Sequence, residues 1–459
     1  MLNLKGKKIG VVGLSKRTGV SVAKFLLKKN LEVVITDIKP KEELKEQINE
    51  LKKYNPEYEL NGHGKKTLEC DLLVVSPGVP LSLDFFDKAR KKNIKIIGEI
   101  ELAYQLTNAK IVAITGTNGK TTTTSLLGKM MSSYYPQKTF VGGNIGTPLI
   151  EIAPGLSRDK WLIVEVSSFQ LESIDEFRPN ISMFLNFSPD HLDRHINKKA
   201  YLNAKKRIFS NQKSDDDAIL NLDDQDVIKA SSEFDVKKHY ISGKKTTESG
   251  AYLDKKHMYI VKNNKKYKLI SKNEIPLYGK HNLMNIAFAA KAASLIGVKY
   301  KSIRKTIKRF KPAEHRLEIF MEGEDGSLII DDSKATNVDA ALKAINSFDN
   351  DIILIAGGQD RNADFAELAN SIKNNVKALI ILGETSDEIY KEMKKRKYNK
   401  VFKVNNMKEA VKKAFNFFEK GDCLLLSPAC PSWDMYEDYK ERGNIFQKEV
   451  KKNYINELR

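Results

Sequence analysis

Cysteine is scarce in this chain. Three residues (Cys70, Cys423, Cys430) among 459 are too few and too widely spaced for a disulfide framework or a structural zinc site. A reducing cytoplasm fits that scarcity. No apolar run approaches the roughly 18 residues that a membrane helix needs, so no membrane insertion is expected. The start, Met1-Leu-Asn-Leu-Lys-Gly-Lys-Lys-Ile9, runs directly into strand-like sequence and lacks a signal-peptide pattern. Internal repeats and low-complexity linkers are absent as well. Acidic residues are in deficit: 59 Asp and Glu against 78 Lys and Arg give a formal net charge of +19. The excess is mostly lysine scattered on helical stretches, as in Lys394-Lys-Arg-Lys397, without interleaved aromatic residues. That pattern argues against nucleic acid as a partner and favours attraction of small anionic substrates. No interface helix stands out, so a monomer is expected.

What the chain does have is alternation of short apolar strands with helices. Its length exceeds what one core supports, and three blocks separate by their signals. In the first, 1–103, Lys8-Ile-Gly-Val-Val12 reads as a strand and Gly13-Leu-Ser-Lys-Arg-Thr-Gly19 as a turn. Residues 20–27 have helical spacing, and Leu31-Glu-Val-Val-Ile-Thr-Asp37 is a second strand ending in an acid. This is a Rossmann-like βαβ unit, with Asp37 where a ribose-binding acid would stand. The glycines do not form GxGxxG, so a mononucleotide or sugar nucleotide fits as well as a dinucleotide. Asp71-Leu-Leu-Val-Val75 followed by Ser76-Pro-Gly-Val-Pro80 is a further strand with a rigid turn. In the third block, 312–459, strands such as Asp351-Ile-Ile-Leu-Ile-Ala356 and Cys423-Leu-Leu-Leu-Ser427 alternate with helical stretches. That predicts a second Rossmann-like, doubly wound sheet, whose ligands would sit beyond the strand carboxyl ends. Asp332, Gly357-Gly358 and Ser427 fall there.

The central block, 104–311, holds the most informative stretch. Ile111-Val-Ala-Ile114 leads into Gly116-Thr-Asn-Gly-Lys-Thr-Thr122 and then a helical run. Strand, glycine loop and helix together aim backbone N–H groups and a helix N-terminus at a polyphosphate. Lys120 would neutralise the outer phosphates, and the Thr121 hydroxyl would touch Mg²⁺. Only Thr117 and Asn118 separate the two glycines, where the common phosphate loop has four residues. Trp161-Leu-Ile-Val-Glu165 is a strand ending in an acid, the usual place for a Mg²⁺ carboxylate. Segments 181–185, 218–222 and Ile275-Pro-Leu277 read as further strands, and 282–295 as a helix. The expected fold is therefore α/β with three domains: a Rossmann-like N-terminal domain, a P-loop ATPase domain and a Rossmann-like C-terminal domain.

Taken together, these motifs resemble the bacterial muramyl (Mur) ligase family over nearly the whole chain. The ATP-site motifs are shared with folylpolyglutamate synthase. Asp332-Ser-Lys-Ala-Thr-Asn337 and Ser427-Pro-Ala-Cys-Pro-Ser-Trp-Asp434 with Arg442-Gly443 are more specific. They resemble the members that add D-glutamate to UDP-N-acetylmuramoyl-L-alanine. The resemblance implies ATP-driven amide synthesis through an acyl phosphate and a tetrahedral intermediate, with Mg²⁺, two ions in all, screening the anionic groups. It implies that Gly116, Thr117, Asn118, Gly119, Lys120, Thr121 and Thr122 hold the triphosphate. Thr121, Glu165, His191 (in Asp190-His-Leu-Asp-Arg194) and a carbamylated Lys205 would serve the metal. Lys120, Glu165, His191 and Lys205 form the implied catalytic set.

Further roles follow from the same resemblance. Asn282 and Asn285 match adenine contacts, and His315, Arg316 and Asp332 match nucleotide contacts from the third domain. Asp37, Ser76, Pro77 and Gly78 match uridine and pyrophosphate contacts, and Asn144 matches a contact to the sugar and peptide portion. Lys334, Thr336, Arg361, Ser427 and Tyr436 are the implied D-glutamate site, since two carboxylates need cations and hydroxyls. Arg361 stands where some relatives have lysine, and Tyr436 where others have phenylalanine. The turn at 13–19 is one residue longer than the family's usual form. Two other readings stay open: another ligase of this type, including one that glutamylates folate, and a basic P-loop switch that binds nucleic acid.

Overall fold

The structure, a computed structural model, describes residues 2–457 apart from 192–193, 312–313 and 362. Its α/β architecture follows from the alternation in the sequence, with three sheets built largely of parallel strands. The first has five parallel strands in the order Glu57–Glu59, Glu32–Thr36, Lys8–Val12, Leu72–Val75 and Lys95–Gly98. Chain order reverses between Lys8–Val12 and Leu72–Val75, so the carboxyl ends of these two strands open a crevice.

The second sheet has nine strands. From one edge they run Thr139–Gly143, Trp161–Glu165, Lys110–Thr115, Ile181–Phe184, Asp217–Asn221, Lys237–Ser242 and Gly250–Leu253, all parallel. Two antiparallel strands, His257–Lys262 and Lys265–Ser271, close the far edge. The hairpin between them turns at Asn263 and Asn264, both at positive φ, as a tight two-residue turn demands. The third sheet has six strands, ordered Glu318–Glu322, Leu328–Asp331, Cys423–Leu426, Ile352–Ala356, Val376–Ile381 and Val401–Lys403. Only its first strand is antiparallel.

One sequence expectation fails here. Residues 275–277 are irregular backbone rather than a strand. Pro276 has no N–H to give to a ladder, and the segment carries the chain between two compact units. One unit comprises Met1–Glu274 with Asn285–Lys308, and the other Ile275–Met284 with Arg309–Arg459.

The first unit contains both the five- and nine-stranded sheets, and they share a continuous apolar core from Ile9, Val11 and Val33 to Ala113, Leu162 and Val164. Polar ties fasten the two sheets. The buried Glu99 carboxylate accepts from Ile150 N–H at 2.7 Å. Glu101 accepts from the N–H groups of Asp175 (2.8 Å) and Phe177 (2.9 Å). Burial pushes Glu99 up to about 7. Among the described residues no helix is long and apolar enough to cross a membrane.

Candidate active site

Strand Lys110–Thr115 delivers the glycine loop and helix Lys120–Tyr134 receives it. Gly116 and Gly119 have φ of 152° and 85°, values that a side chain resists. A Cβ at Gly119 would also collide with Asn285 Oδ1. The residues between the glycines are pinned from the next strand. Thr117 N–H donates to Asn186 O (3.0 Å). The Asn186 amide then grips Asn118 twice: Asn118 N–H donates to Oδ1 (2.8 Å) and Nδ2 donates to Asn118 O (2.9 Å). Thr117 Oγ1 donates to Ser188 O and accepts from Ser188 N–H, both at 3.0 Å.

Two lysines converge on the loop. Lys120 Nζ donates to Gly116 O (2.9 Å) and Thr117 O (2.8 Å). Lys205 Nζ donates to the same Gly116 O at 2.8 Å. Lys205 lies on helix Lys198–Lys206, is 1% exposed, and packs its Nζ 4.7 Å from the Tyr201 ring centroid. Burial, followed by repulsion from Lys120, holds its pKa well below the ordinary lysine value. Lys206 instead pairs with Glu233 at 2.8 Å, so the helix itself separates an inward lysine from an outward one.

Glu165 ends strand Trp161–Glu165 at 1% exposure. Its Oε1 accepts from Asn144 Nδ2 at 2.8 Å, and its Oε2 is buried without a protein partner. It acts electrostatically on Lys205. Thr121 is half-buried at the start of the helix, and the Thr122 hydroxyl is buried without a partner. His191 adopts φ 54°, and its ring meets Phe169 edge-on at 5.1 Å. Asp190 beside it acts on both Lys205 and Tyr201. His195, to which the sequence reading gave no role, is buried against the same aromatic group. It stacks on Phe169 at 5.3 Å and bonds Ser168 Oγ at 3.0 Å.

Asp37, Ser76 and the 13–19 loop meet at the crevice of the first sheet. Asp37 accepts from Leu14 N–H (2.7 Å) and Lys39 N–H (3.0 Å), so its carboxylate shapes the loop. Ser76 Oγ donates to Gly13 O at 2.6 Å, and Pro77 and Gly78 continue that turn. Arg17 reaches from this loop to the second sheet, where its guanidinium donates to Asn144 O (2.9 Å) and Gly143 O. Asn144 N–H donates to Glu165 O at 2.7 Å. Asn144 therefore links the first-sheet loop to the buried carboxylate.

The other candidates belong to the second unit, apart from Asn285, which falls in the first. Asn282 is buried with Nδ2 donating to Tyr278 O at 2.8 Å. His315 Nδ1 bonds Asp331 Oδ2 at 2.7 Å, and that hydrogen bond raises the imidazole pKa. Gln447 Nε2 donates to Asp331 Oδ2 at 2.9 Å. A Cβ at Gly443 would collide with His315 Nδ1. Arg316 Nε is buried without a partner. Asp332 accepts from Leu317 N–H (3.1 Å) and Ser427 Oγ (3.0 Å), and burial pushes its carboxyl up to about 7.

Lys334 Nζ lies 5.1 Å from the Tyr439 ring, Thr336 precedes the helix cap at Asn337, and Arg361 lies over Trp433. Tyr436 N–H donates to Ser432 O at 2.8 Å. Arg442, fully buried, bonds Ser333 and the carbonyls of Cys430 and Pro431. It braces the two C-terminal motifs. Asp332 and Ser427 are brought into direct contact.

Comparison with known proteins agrees with this geometry. Residues 7–98 match the Mur ligase MurD-like N-terminal domain, 114–293 the Mur ligase middle domain, and 315–430 the Mur ligase glutamate ligase domain. The UDP-N-acetylmuramoylalanine--D-glutamate ligase of Clostridioides difficile (strain 630) is 43% identical over 451 residues, covering 98% of this chain and 99% of its own. Among solved structures, the UDP-N-acetylmuramate-alanine ligase of Thermotoga maritima has a TM-score of 0.61 at 17% identity, covering 97% of this chain and 100% of its own. The MurF ligase of the same organism, solved in complex with ADP, has a TM-score of 0.60 at 16% identity, covering 99% and 100%. With three domain matches in order and a relative of this identity along nearly its whole length, the chain belongs to the Mur ligase family.

Proposed function

We propose that this chain is an ATP-dependent ligase that adds D-glutamate to the alanyl carboxylate of UDP-N-acetylmuramoyl-L-alanine, a step in peptidoglycan precursor synthesis. One observation carries the chemistry. The side-chain nitrogens of Lys120 and Lys205 converge on the Gly116 carbonyl, with the buried Glu165 acting on Lys205. The Lys120 ammonium at a helix N-terminus gives a positive pocket suited to a polyphosphate. The choice of acceptor is supported by the curated relatives' activity and by the glutamate ligase domain. The domains we assign are 1–103 for the sugar nucleotide, 104–311 for ATP and 312–459 for the amino acid. The substrates place the reaction in the cytoplasm, and we take the working unit to be a monomer.

The donor set fits Mg²⁺. Glu165 offers a buried oxygen without a protein partner, a hard ligand that a hard cation needs. Thr121, His191 and Lys205 would complete the sites. Held there, Mg²⁺ would supply neutralisation of the anionic charge on the phosphate chain and the attacking carboxylate. Lys205 reaches an anionic form through CO₂. Burial lowers its pKa and so favours the neutral amine, whose nitrogen would add to the carbon of CO₂ and release one proton, leaving a carbamate. Lys120 neutralises the outer phosphates as the alanyl carboxylate attacks the γ-phosphorus. ADP leaves and an acyl phosphate forms. The D-glutamate amine attacks the acyl carbon, and phosphate departs from the tetrahedral intermediate. Lys334, Thr336, Arg361, Ser427 and Tyr436 hold the acceptor, while Asn282, Asn285, His315, Arg316 and Asp332 hold the nucleotide.

The test is phosphate release from ATP and Mg²⁺ with UDP-N-acetylmuramoyl-L-alanine, comparing D-glutamate with L-glutamate, L-alanine, L-lysine and diaminopimelate. Release with D-glutamate alone is expected. Release with another amino acid would keep the ligase and overturn the acceptor; no release with any would overturn both.

A further inference from the structure

We propose that Trp433 is a positioning residue for the acceptor amino acid: its indole face holds the Arg361 guanidinium flat, pre-setting a planar N–H fork for a carboxylate. The proposal rests on the ligase reading above.

The two side chains come from loops that follow neighbouring parallel strands, Arg361 after Ile352–Ala356 and Trp433 after Cys423–Leu426. The crevice beyond such strand ends is where ligands of this sheet type bind. The guanidinium carbon lies 4.7 Å from the indole centroid, within the range of a cation–π contact. Trp433 is 59% exposed, so it contributes little to the core, and a large indole left in solvent calls for another role. Both loops are tightly held. Gln359 N–H donates to Pro431 O (2.9 Å), and Asp360 N–H donates to Glu384 Oε2 (3.1 Å). A Cβ at Gly358 would collide with Pro431 O. On the other side, Arg442 grips the carbonyls of Cys430 and Pro431. Asp434 Oδ2 accepts from Glu384 N–H (3.1 Å), and the N–H groups of Met435 and Tyr436 fold back onto Ser432 O.

Fixed backbones therefore present one aromatic plane to one guanidinium. Arginine otherwise carries several free torsions, and a stacked guanidinium loses less freedom when a carboxylate docks. Among the described residues no carboxylate is hydrogen-bonded to Arg361, so its fork is uncommitted to a protein anion. An acceptor with a second carboxylate supplies that anion.

The experiment is a KM-against-kcat comparison with a spectroscopic readout beside it. Trp433→Ala is expected to raise KM for D-glutamate by roughly 2- to 30-fold, the span between exposed and desolvated cation–π contacts. KM for ATP and kcat should stay near the unmodified values, and Trp433→Phe should recover most of the loss. Arg361→Ala combined with Trp433→Ala should be no worse than Arg361→Ala alone. The chain has two tryptophans, so Trp161→Phe leaves Trp433 as the single indole emitter. With a non-hydrolysable ATP analogue and UDP-N-acetylmuramoyl-L-alanine bound, its emission should change saturably with D-glutamate, and Arg361→Ala should abolish that change. An unchanged KM for D-glutamate in Trp433→Ala, equal losses in both KM values, or additive losses in the double variant would overturn the role of Trp433. Absence of D-glutamate-dependent phosphate release from the unmodified protein is a different failure: it overturns the ligase reading, and this proposal with it.

Discussion

Replacing Asn144 with alanine removes one hydrogen bond from the buried Glu165 carboxylate, the 2.8 Å contact from Nδ2 to Oε1. The backbone stays in place, because Asn144 N–H still donates to Glu165 O and Arg17 still holds Asn144 O. A hydrogen bond to a charged group contributes about 1.5–3 kcal/mol. Glu165 is 1% exposed, so water replaces the lost donor poorly. Partners that orient a metal's carboxylate typically contribute 10- to 100-fold in metal affinity. Asn144→Ala should therefore raise the Mg²⁺ concentration for half-maximal activity by about 10- to 100-fold, with activity recovered when Mg²⁺ is in excess. Glu165→Gln, which removes the charge itself, should stay inactive at every Mg²⁺ concentration. The assay is phosphate release against free Mg²⁺ with all three substrates saturating. A fall in kcat with an unchanged Mg²⁺ half-saturation would refute the reasoning: Asn144 would then act on the sugar nucleotide and not through Glu165.

Lys205→Ala should lose most activity and regain part of it when formate or acetate is supplied at high concentration, because a free carboxylate can stand in for the carbamate we propose; full activity without rescue would remove Lys205 from the mechanism. Glu99 gives a pH prediction. Its folded-state pKa of about 7 lies above the ordinary 4.5, so the folded state favours the protonated form. Stability is then fully present below about pH 4.5 and falls as pH rises toward 7, by about 3 kcal/mol. Glu99→Gln should raise the thermal midpoint at pH 8 by about 4 °C in a unit of this size and change it little at pH 4.5. The same shift at both pH values would show that burial of the charge is not its source.

Chemistry concentrated in consecutive residues was legible in the sequence. Strand, loop and helix around residues 116–122 follow from apolar spacing and two glycines, and the observed φ values show why glycine stands at both positions. Contributions from single residues on other elements were not legible. Asn186 lies two residues beyond strand Ile181–Phe184, and nothing local distinguishes it from any loop asparagine. Its position at a strand carboxyl end beside the glycine loop was the one available signal. Arg17 looked like part of a turn, since its partners at 143 and 144 are distant in sequence. Strand Lys265–Ser271 was missed because its lysines hide a short alternation. The strand read at 275–277 gave Pro276 too little weight. Lys205 was chosen over its neighbour Lys206 by resemblance, and the helix supplies the physical difference by burying Lys205 while Lys206 pairs with Glu233.

The grip of Asn186 on Asn118 bears on how little loop a polyphosphate needs. A side-chain amide sets a donor nitrogen beside an acceptor oxygen, as a strand does, and here that pair completes a single rung of ladder across the loop. The N–H groups of Thr117 and Asn118 are consumed in that rung and by Asn186 O. These two residues therefore act as a strut, and the helix that begins at Lys120 would meet a phosphate with its own N-terminal amides. The short spacing between the glycines removes span, while the anion-binding end of the helix is kept whole.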